Sequence, residues 1–184
     1  MEEEVKIQYV GFGKRILISI IDIIMFIPII YVYQFIMKLS LEGRSILPIT
    51  IYYISLNLYL TFMVTRFGGT PGRLILKAKI TNISGEKLSV MQAFLRTITY
   101  IPSSIAFIVS VQLVINQLNS AGLQGKEIME FYSLHKESNI FDFVGSIVVF
   151  IDILWILFNK KKRALHDYIA GSYVVYKGKM IDKK

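Results

Sequence analysis

"KRILISIIDIIMF", Lys14 to Phe26, is almost continuous hydrocarbon with a carboxylate inside it. A charged side chain at the centre of a bilayer costs about 2.5–3.5 kcal/mol on insertion scales. Such a residue calls for a partner. At helical spacing Arg15, Ser19 and Asp22 fall at i, i+4 and i+7, so they share one face, with Asp22 about 10 Å further along the axis than Arg15. That stripe is unsuited to lipid and is expected to turn toward the protein interior, a water-filled cleft or another protomer.

The rest of the chain repeats this pattern of hydrocarbon with isolated charge. Of its 184 residues 54% are hydrophobic and only 18% charged, and the charges cluster. The formal net charge of +8 fits a membrane surface better than nucleic acid, because long uncharged runs separate the basic clusters. Without cysteine there is no disulfide, thiolate metal site or cysteine nucleophile.

Four runs are long enough to cross about 30 Å of hydrocarbon, at residues 16–37, 46–64, 97–115 and 141–158. The first is too long for the apolar core of a secretion signal and has no small-residue cleavage site after it. Seventeen of the 21 Lys and Arg lie in residues 1–15, 65–96 and 159–184. Lys and Arg concentrate on the cytoplasmic side. The expected fold is therefore an all-α membrane protein with four transmembrane helices and both termini cytoplasmic, a single domain over residues 1–184. Pro28 and Pro102 are expected to bend their spans. The external connection at 116–140 is expected to hold a short helix on the outer membrane surface. No repeat of 20–50 residues is visible.

The cytoplasmic segment 65–96 has internal order. Thr70-Pro71 is a helix start, an N-cap followed by proline at the first helical position. "KAKITN" and "EKLSV" alternate around a Ser-Gly turn and read as a β-hairpin. "GSYVVYK" in the tail supplies a third β-rich run, so the expectation is a small cytoplasmic β-hairpin or three-stranded sheet over about 76–81, 86–90 and 172–177.

Asp22 and Asp152 are the residues that most need explaining. One reading makes them, with Ser19, the lining of a cation or proton path, since burial raises a carboxyl pKa toward neutrality. The plainer reading is a hydrogen bond that holds helices together. Lys160, Lys161, Lys162 and Arg163 read as an anchor among anionic headgroups. Asp167 follows them at the same depth as Arg15, which suggests an Arg15–Asp167 ion pair that docks the tail on the first span. His166, as a lone interfacial histidine, reads as solvated. No nucleophile, metal site or nucleotide loop is evident, so neither an enzyme nor a bound cofactor is expected.

Three stretches resemble the RDD family, small bacterial and archaeal membrane proteins named for one arginine and two aspartates. "YVGFGKRILISIIDIIMF" is similar to the family's opening, "GGTPGRLILKAKITNISGEKLSVMQAFLRT" to its central block and "KKKRALHDYIAGSYVV" to its closing block. The resemblance places Arg15, Asp22 and Asp167 at the signature positions. Arg73 departs from the lysine that often follows "TPG". What the resemblance implies is a polytopic protein of the bacterial cytoplasmic membrane, with transport suggested and sodium/proton exchange proposed for some members.

The expected function is thus transport of a monovalent cation or proton, in a homo-oligomer because four spans are few for a carrier. The alternative is a non-transporting membrane protein that binds and regulates a membrane enzyme or transporter. The bilayer and its anionic headgroups are the expected surroundings in either case, and nucleic acid is not an expected partner.

Overall fold

Pro28, Pro102 and the Ser-x-x-Gln at Ser89–Gln92 decide where several helices of this chain begin and end. A computed structural model describes residues 8–135 and 140–176; residues 1–7, 136–139 and 177–184, with Lys136 and the end of the tail, lie outside the described residues. The elements in chain order are α1 (Phe12–Met25), α2 (Ile27–Glu42), α3 (Leu47–Phe67), α4 (Pro71–Ile75), β1 (Ala78–Asn82), α5 (Val90–Thr97), α6 (Ile101–Ala121), α7 (Lys126–His135), α8 (Ile140–Leu154), α9 (Leu165–Ile169) and β2 (Ser172–Tyr176). Short 3₁₀ turns at Ile98–Tyr100 and Trp155–Phe158 follow α5 and α8.

The protein is mostly helical. Among the described residues two helices are long and apolar enough to cross a membrane: α3, with the helical turns running on to Ile75, and α6. A third span results if α1 and α2 count as one broken helix. That break falls in the run 16–37, where Pro28 is expected to bend it. Pro28 lacks an N–H and its ring clashes with the carbonyl four residues back, so α1 stops at Met25 and Phe26 takes φ −93°, ψ 4°. Pro102 acts differently from expectation. Instead of bending a helix interior it sits in the first turn of α6, where its missing N–H costs nothing. The span therefore runs over Ile101–Ala121 rather than 97–115. α8 with its 3₁₀ extension is apolar but short.

The chain forms two compact units. One consists of residues 27–56 and 100–150. Its core is Met37, Leu41 and Ile49 against Val111, Val114, Ile115 and Leu118, with Tyr33, Tyr52, Tyr53 and Phe107 in tilted and edge contacts around them. The helix expected in the second connection is α7, which adds Ile128, Phe131 and Tyr132 to this core.

The other unit consists of residues 1–26, 57–99 and 151–184 and holds the sheet. Here the hairpin expectation fails. β1 pairs antiparallel with β2, distant in sequence, in the register Ala78↔Tyr176, Ile80↔Val174, Asn82↔Ser172. Residues 86–90 form no strand, because Ser89 starts a helix: its Oγ accepts from the Gln92 N–H (3.2 Å) and Gln92 Oε1 accepts from the Ser89 N–H (3.1 Å). This reciprocal capping box satisfies two orphan donors at once and outcompetes strand pairing. Asn82 instead closes a turn on Glu86. The far edge of β2 is met by the chain entering α1: Tyr9 bridges Val175, and the Val10 N–H donates to the Val174 carbonyl at 2.9 Å.

The two strands belong to a short structural repeat. Thr70–Asn82 and Ala164–Tyr176 follow the same course, a five-residue helix, a two-residue turn and a five-residue strand, offset throughout by 94 positions. Lys77 (φ 53°) and Gly171 (φ 62°) hold equivalent left-handed positions. Ile80 and Val174, which face each other across the sheet, are themselves equivalent. A local two-fold axis therefore passes between them, perpendicular to the sheet as in any antiparallel pair, and α4 and α9 lie on the same side of it.

Candidate functional site

A five-residue helix leaves most of its N-terminal N–H groups without intrahelical partners, and both short helices of the repeat meet an aspartate there. Asp22 of α1 accepts from the Gly72 N–H through Oδ1 (2.7 Å) and from the Thr70 hydroxyl through Oδ2 (2.6 Å). Asp152, near the end of α8, accepts from the His166 N–H through Oδ1 (2.7 Å) and from His166 Nδ1 through Oδ2 (2.6 Å). Gly72 and His166 are equivalent positions, each the second residue of its helix. The carboxylates thus face positive helix ends. That is the company Asp22 keeps: a backbone N–H, a hydroxyl and the start of α4.

Gly72 makes the first of these contacts possible. A Cβ there would stand 2.5 Å from the Ile18 carbonyl oxygen and 2.9 Å from Asp22 Oδ1. Only a residue without a side chain lets α4 lie this close to α1. Thr70 occupies the N-cap position, but its hydroxyl donates across to Asp22 while accepting from Arg73 Nη1 at 3.0 Å.

Asp152 opens onto a line of buried charge. His166 Nε2 lies 3.1 Å from Arg96 Nη2. A guanidinium only donates, so Nε2 carries the lone pair and the ring proton is on Nδ1, directed at Asp152. Arg96 Nη1 also donates to Asp167 Oδ1 and to Ser172 Oγ. Asp167 Oδ2 accepts from Arg15 Nη1 at 2.7 Å and from the Ala164 N–H at 3.1 Å. Arg15 spends its other donors on the Lys162 and Val10 carbonyls. The sequence Asp152–His166–Arg96–Asp167–Arg15 is continuous, and Arg96 at 5% exposure and Asp152 and Asp167 at 0% are shut from solvent.

Burial opposes the charge on Asp167, but the Arg96 and Arg15 guanidinium groups outweigh it and hold its carboxyl well below the usual carboxylate range. His166 goes the other way from an ordinary imidazole gaining an acid. Burial lowers its pKa, Asp167 and Asp152 push it up, Arg96 pushes it down, and the net shift is downward. The ring is neutral at neutral pH, as its hydrogen bonds require. His166 Nε2 stands 3.4 Å from Asp167 Oδ1, but with a lone pair there the contact is no ion pair. A histidine with a depressed native pKa leaves the unfolded chain holding more protons below about pH 6.5, so stability falls as pH drops through that value. Thermal unfolding midpoints measured from about pH 7.5 down to about pH 5.5 are expected to decline, and His166→Gln is expected to flatten the decline.

One family model covers nearly all of this geometry: residues 9–171 match the model of the RDD family. The chain belongs to the RDD family. No curated protein and no solved structure matches it.

Of the RDD signature residues, Arg15 and Asp167 are in direct contact and Asp22 stands apart from them, bonded to Thr70 and Gly72 at the start of α4. Ser19 joins neither group; it is exposed and its hydroxyl donates back to the Arg15 carbonyl at 3.0 Å. The basic run divides. Lys160 and Lys161 are exposed, Lys162 lends its carbonyl to Arg15, and Arg163 bonds the Asp167 and Tyr168 carbonyls and lies over the Tyr168 and Tyr173 rings. His166 is buried rather than solvated, because Asp152 and Arg96 occupy both its nitrogens. Arg96, Ser172 and Gly72 are positions of this site that sequence reading does not single out, and Thr70 stands out there only as a helix N-cap. Only Arg96 leaves a signal there: it lies on the opposite face of α5 from Val90, Met91 and Phe94.

Proposed function

We propose that this RDD protein crosses the bacterial cytoplasmic membrane four times with both termini in the cytoplasm, and that it moves a proton or monovalent cation. The observation that carries the reading is the neutral His166 ring, with its proton directed at the fully buried Asp152 and its lone pair facing Arg96. An imidazole hydrogen-bonded to a carboxylate takes up and passes on a proton with little rearrangement. Asp152 and His166 are then the proton-exchanging pair. Asp22 is a second carboxylate whose half-buried position leaves it open to an ion when α4 shifts. Arg15, Arg96 and Asp167 position the pair.

Proteoliposomes with an imposed sodium or potassium gradient test this through an internal pH indicator. The wild-type protein is expected to give an ion-driven pH change that Asp152→Asn and His166→Gln abolish and Lys160→Gln leaves intact. Background signals from all four would remove the transport reading.

One observation favours a second reading. Arg15, Arg96 and Asp167 all direct their charged atoms to partners inside the protein, as a fixed scaffold requires. A regulatory protein that holds a membrane partner in one state needs only such a scaffold. It would appear as a crosslinked complex that survives Asp152→Asn.

A further inference from the structure

The unit holding the charge network keeps an apolar core of Val10, Ile18, Ile80 and Val174, yet three of its helices turn hydrocarbon outward. α5 places Val90, Met91 and Phe94 within an arc of about 100°, and these are exposed, Val90 at 70% and Met91 at 66%, as is Ile98 in the turn that follows. Arg96, opposite this arc, is buried, as are Ala93 and Thr97 beside it. A helix in water buries its hydrocarbon and exposes its charge; α5 does the reverse. The two repeat helices do the same at equivalent positions. α4 exposes Leu74 and Ile75, and α9 exposes Tyr168 and Ile169 while burying His166 and Asp167.

We infer that α4, α5 and α9 are immersed in the boundary between headgroups and acyl chains of the inner leaflet, with Leu74, Ile75, Val90, Met91, Phe94 and Ile169 in contact with lipid. Amphipathic helices settle about 5–10 Å into that boundary, apolar face down. The charge of this unit fits an anionic leaflet. Arg66, Lys77, Lys87, Lys160 and Lys161 are exposed, and among the described residues of the unit Glu86 is the one exposed acid. The local two-fold keeps α4 and α9 on the same side of the sheet, so one surface receives both. Tyr168, whose ring stacks under the Arg163 guanidinium at 4.7 Å, belongs at headgroup level, where tyrosine is enriched. Lipid cover over this surface does not depend on transport, and holds for a carrier or a regulator.

Trp155 is the one tryptophan, so a Trp155→Phe background reports single introduced tryptophans. Met91→Trp and Ile169→Trp, in liposomes of brominated phosphatidylglycerol and phosphatidylcholine at a high lipid-to-protein ratio, are expected to emit to the blue, lose most of their emission to the bromines and resist aqueous iodide. Ser84→Trp, in the exposed turn after β1, serves as the iodide-quenched, water-exposed reference. Val90→Trp repeats the measurement at a neighbouring position if Met91→Trp does not keep its helical circular dichroism. Blue emission that neither bromine nor iodide quenches would mean a protein partner or second copy covers the surface, and overturns the inference. Iodide quenching at positions 91 and 169 would place the helices in the cytoplasm and overturns it too.

Discussion

Arg96→Met is expected to destabilise the protein by about 3–5 kcal/mol, the usual cost of removing one partner from a buried ion pair. Three groups lose a donor together: Asp167 Oδ1, Ser172 Oγ and His166 Nε2. None has water to turn to. Asp167 keeps Arg15, but one guanidinium then serves a carboxylate built for two. Arg96→Lys should recover only part of the loss, because an ammonium is a point charge without the planar fork that reaches three acceptors at once. Denaturant titration of the detergent-solubilised protein, followed by tryptophan fluorescence, measures both. A loss below about 1 kcal/mol, close to the ordinary range for surface changes, would show that Arg96 is not the hub of the network.

Gly72→Val should be nearly as damaging, for a steric rather than an electrostatic reason. The added Cβ alone collides with the Ile18 backbone oxygen and with Asp22, and backbone cannot rotate away as a side chain does. Overpacking of this kind costs about 1–3 kcal/mol. Pushing α4 off α1 also breaks the Gly72–Asp22 bond, and hydrogen bonds to charged groups contribute about 1.5–3 kcal/mol. Asp22→Asn, by contrast, keeps an oxygen for the Gly72 N–H and should cost about 1 kcal/mol. Thermal unfolding of the two variants side by side checks the order. A Gly72→Val variant as stable as the wild type would mean α4 does not rest on α1.

Much of this is legible without any coordinates. The carboxylate in an apolar helix, seven residues past an arginine, already demands an inward face, and Asp22 does turn from lipid to protein. Its partner is not legible. Gly72 and Thr70 lie 50 and 48 positions away, and their contribution is a backbone N–H and a hydroxyl, which leave no charge to match. The strands show the same division. Alternation in "AKITN" and the aromatic and β-branched residues of "SYVVY" mark both as β, yet pairing follows tertiary proximity, and the nearer run "EKLSV" offers itself as a false partner. The Ser89-Val-Met-Gln92 capping box is present in the sequence and marks a helix start; a strand reading that weighs it stops at Lys87. The repeat is hidden for a different reason. "TPGRLILKAKITN" and "ALHDYIAGSYVVY" are identical at one of thirteen positions, and their likeness lies in backbone course and burial, not in side-chain chemistry. His166 looks solvated when its neighbours are judged along the chain, where basic residues precede it. Across the fold its neighbour is Asp152.

Asp152, His166, Arg96, Asp167 and Arg15 form one continuous interior network, whose members should act as a coupled set. A double-mutant cycle on Arg96 and Asp167, using Arg96→Met, Asp167→Asn and the double variant, measures that coupling as an unfolding free energy. For charged groups that share a buried hydrogen bond the coupling should be about 1–3 kcal/mol, with the double variant far less damaged than the sum of the two singles. Additivity within about 0.5 kcal/mol, the behaviour of independent sites, would contradict the account.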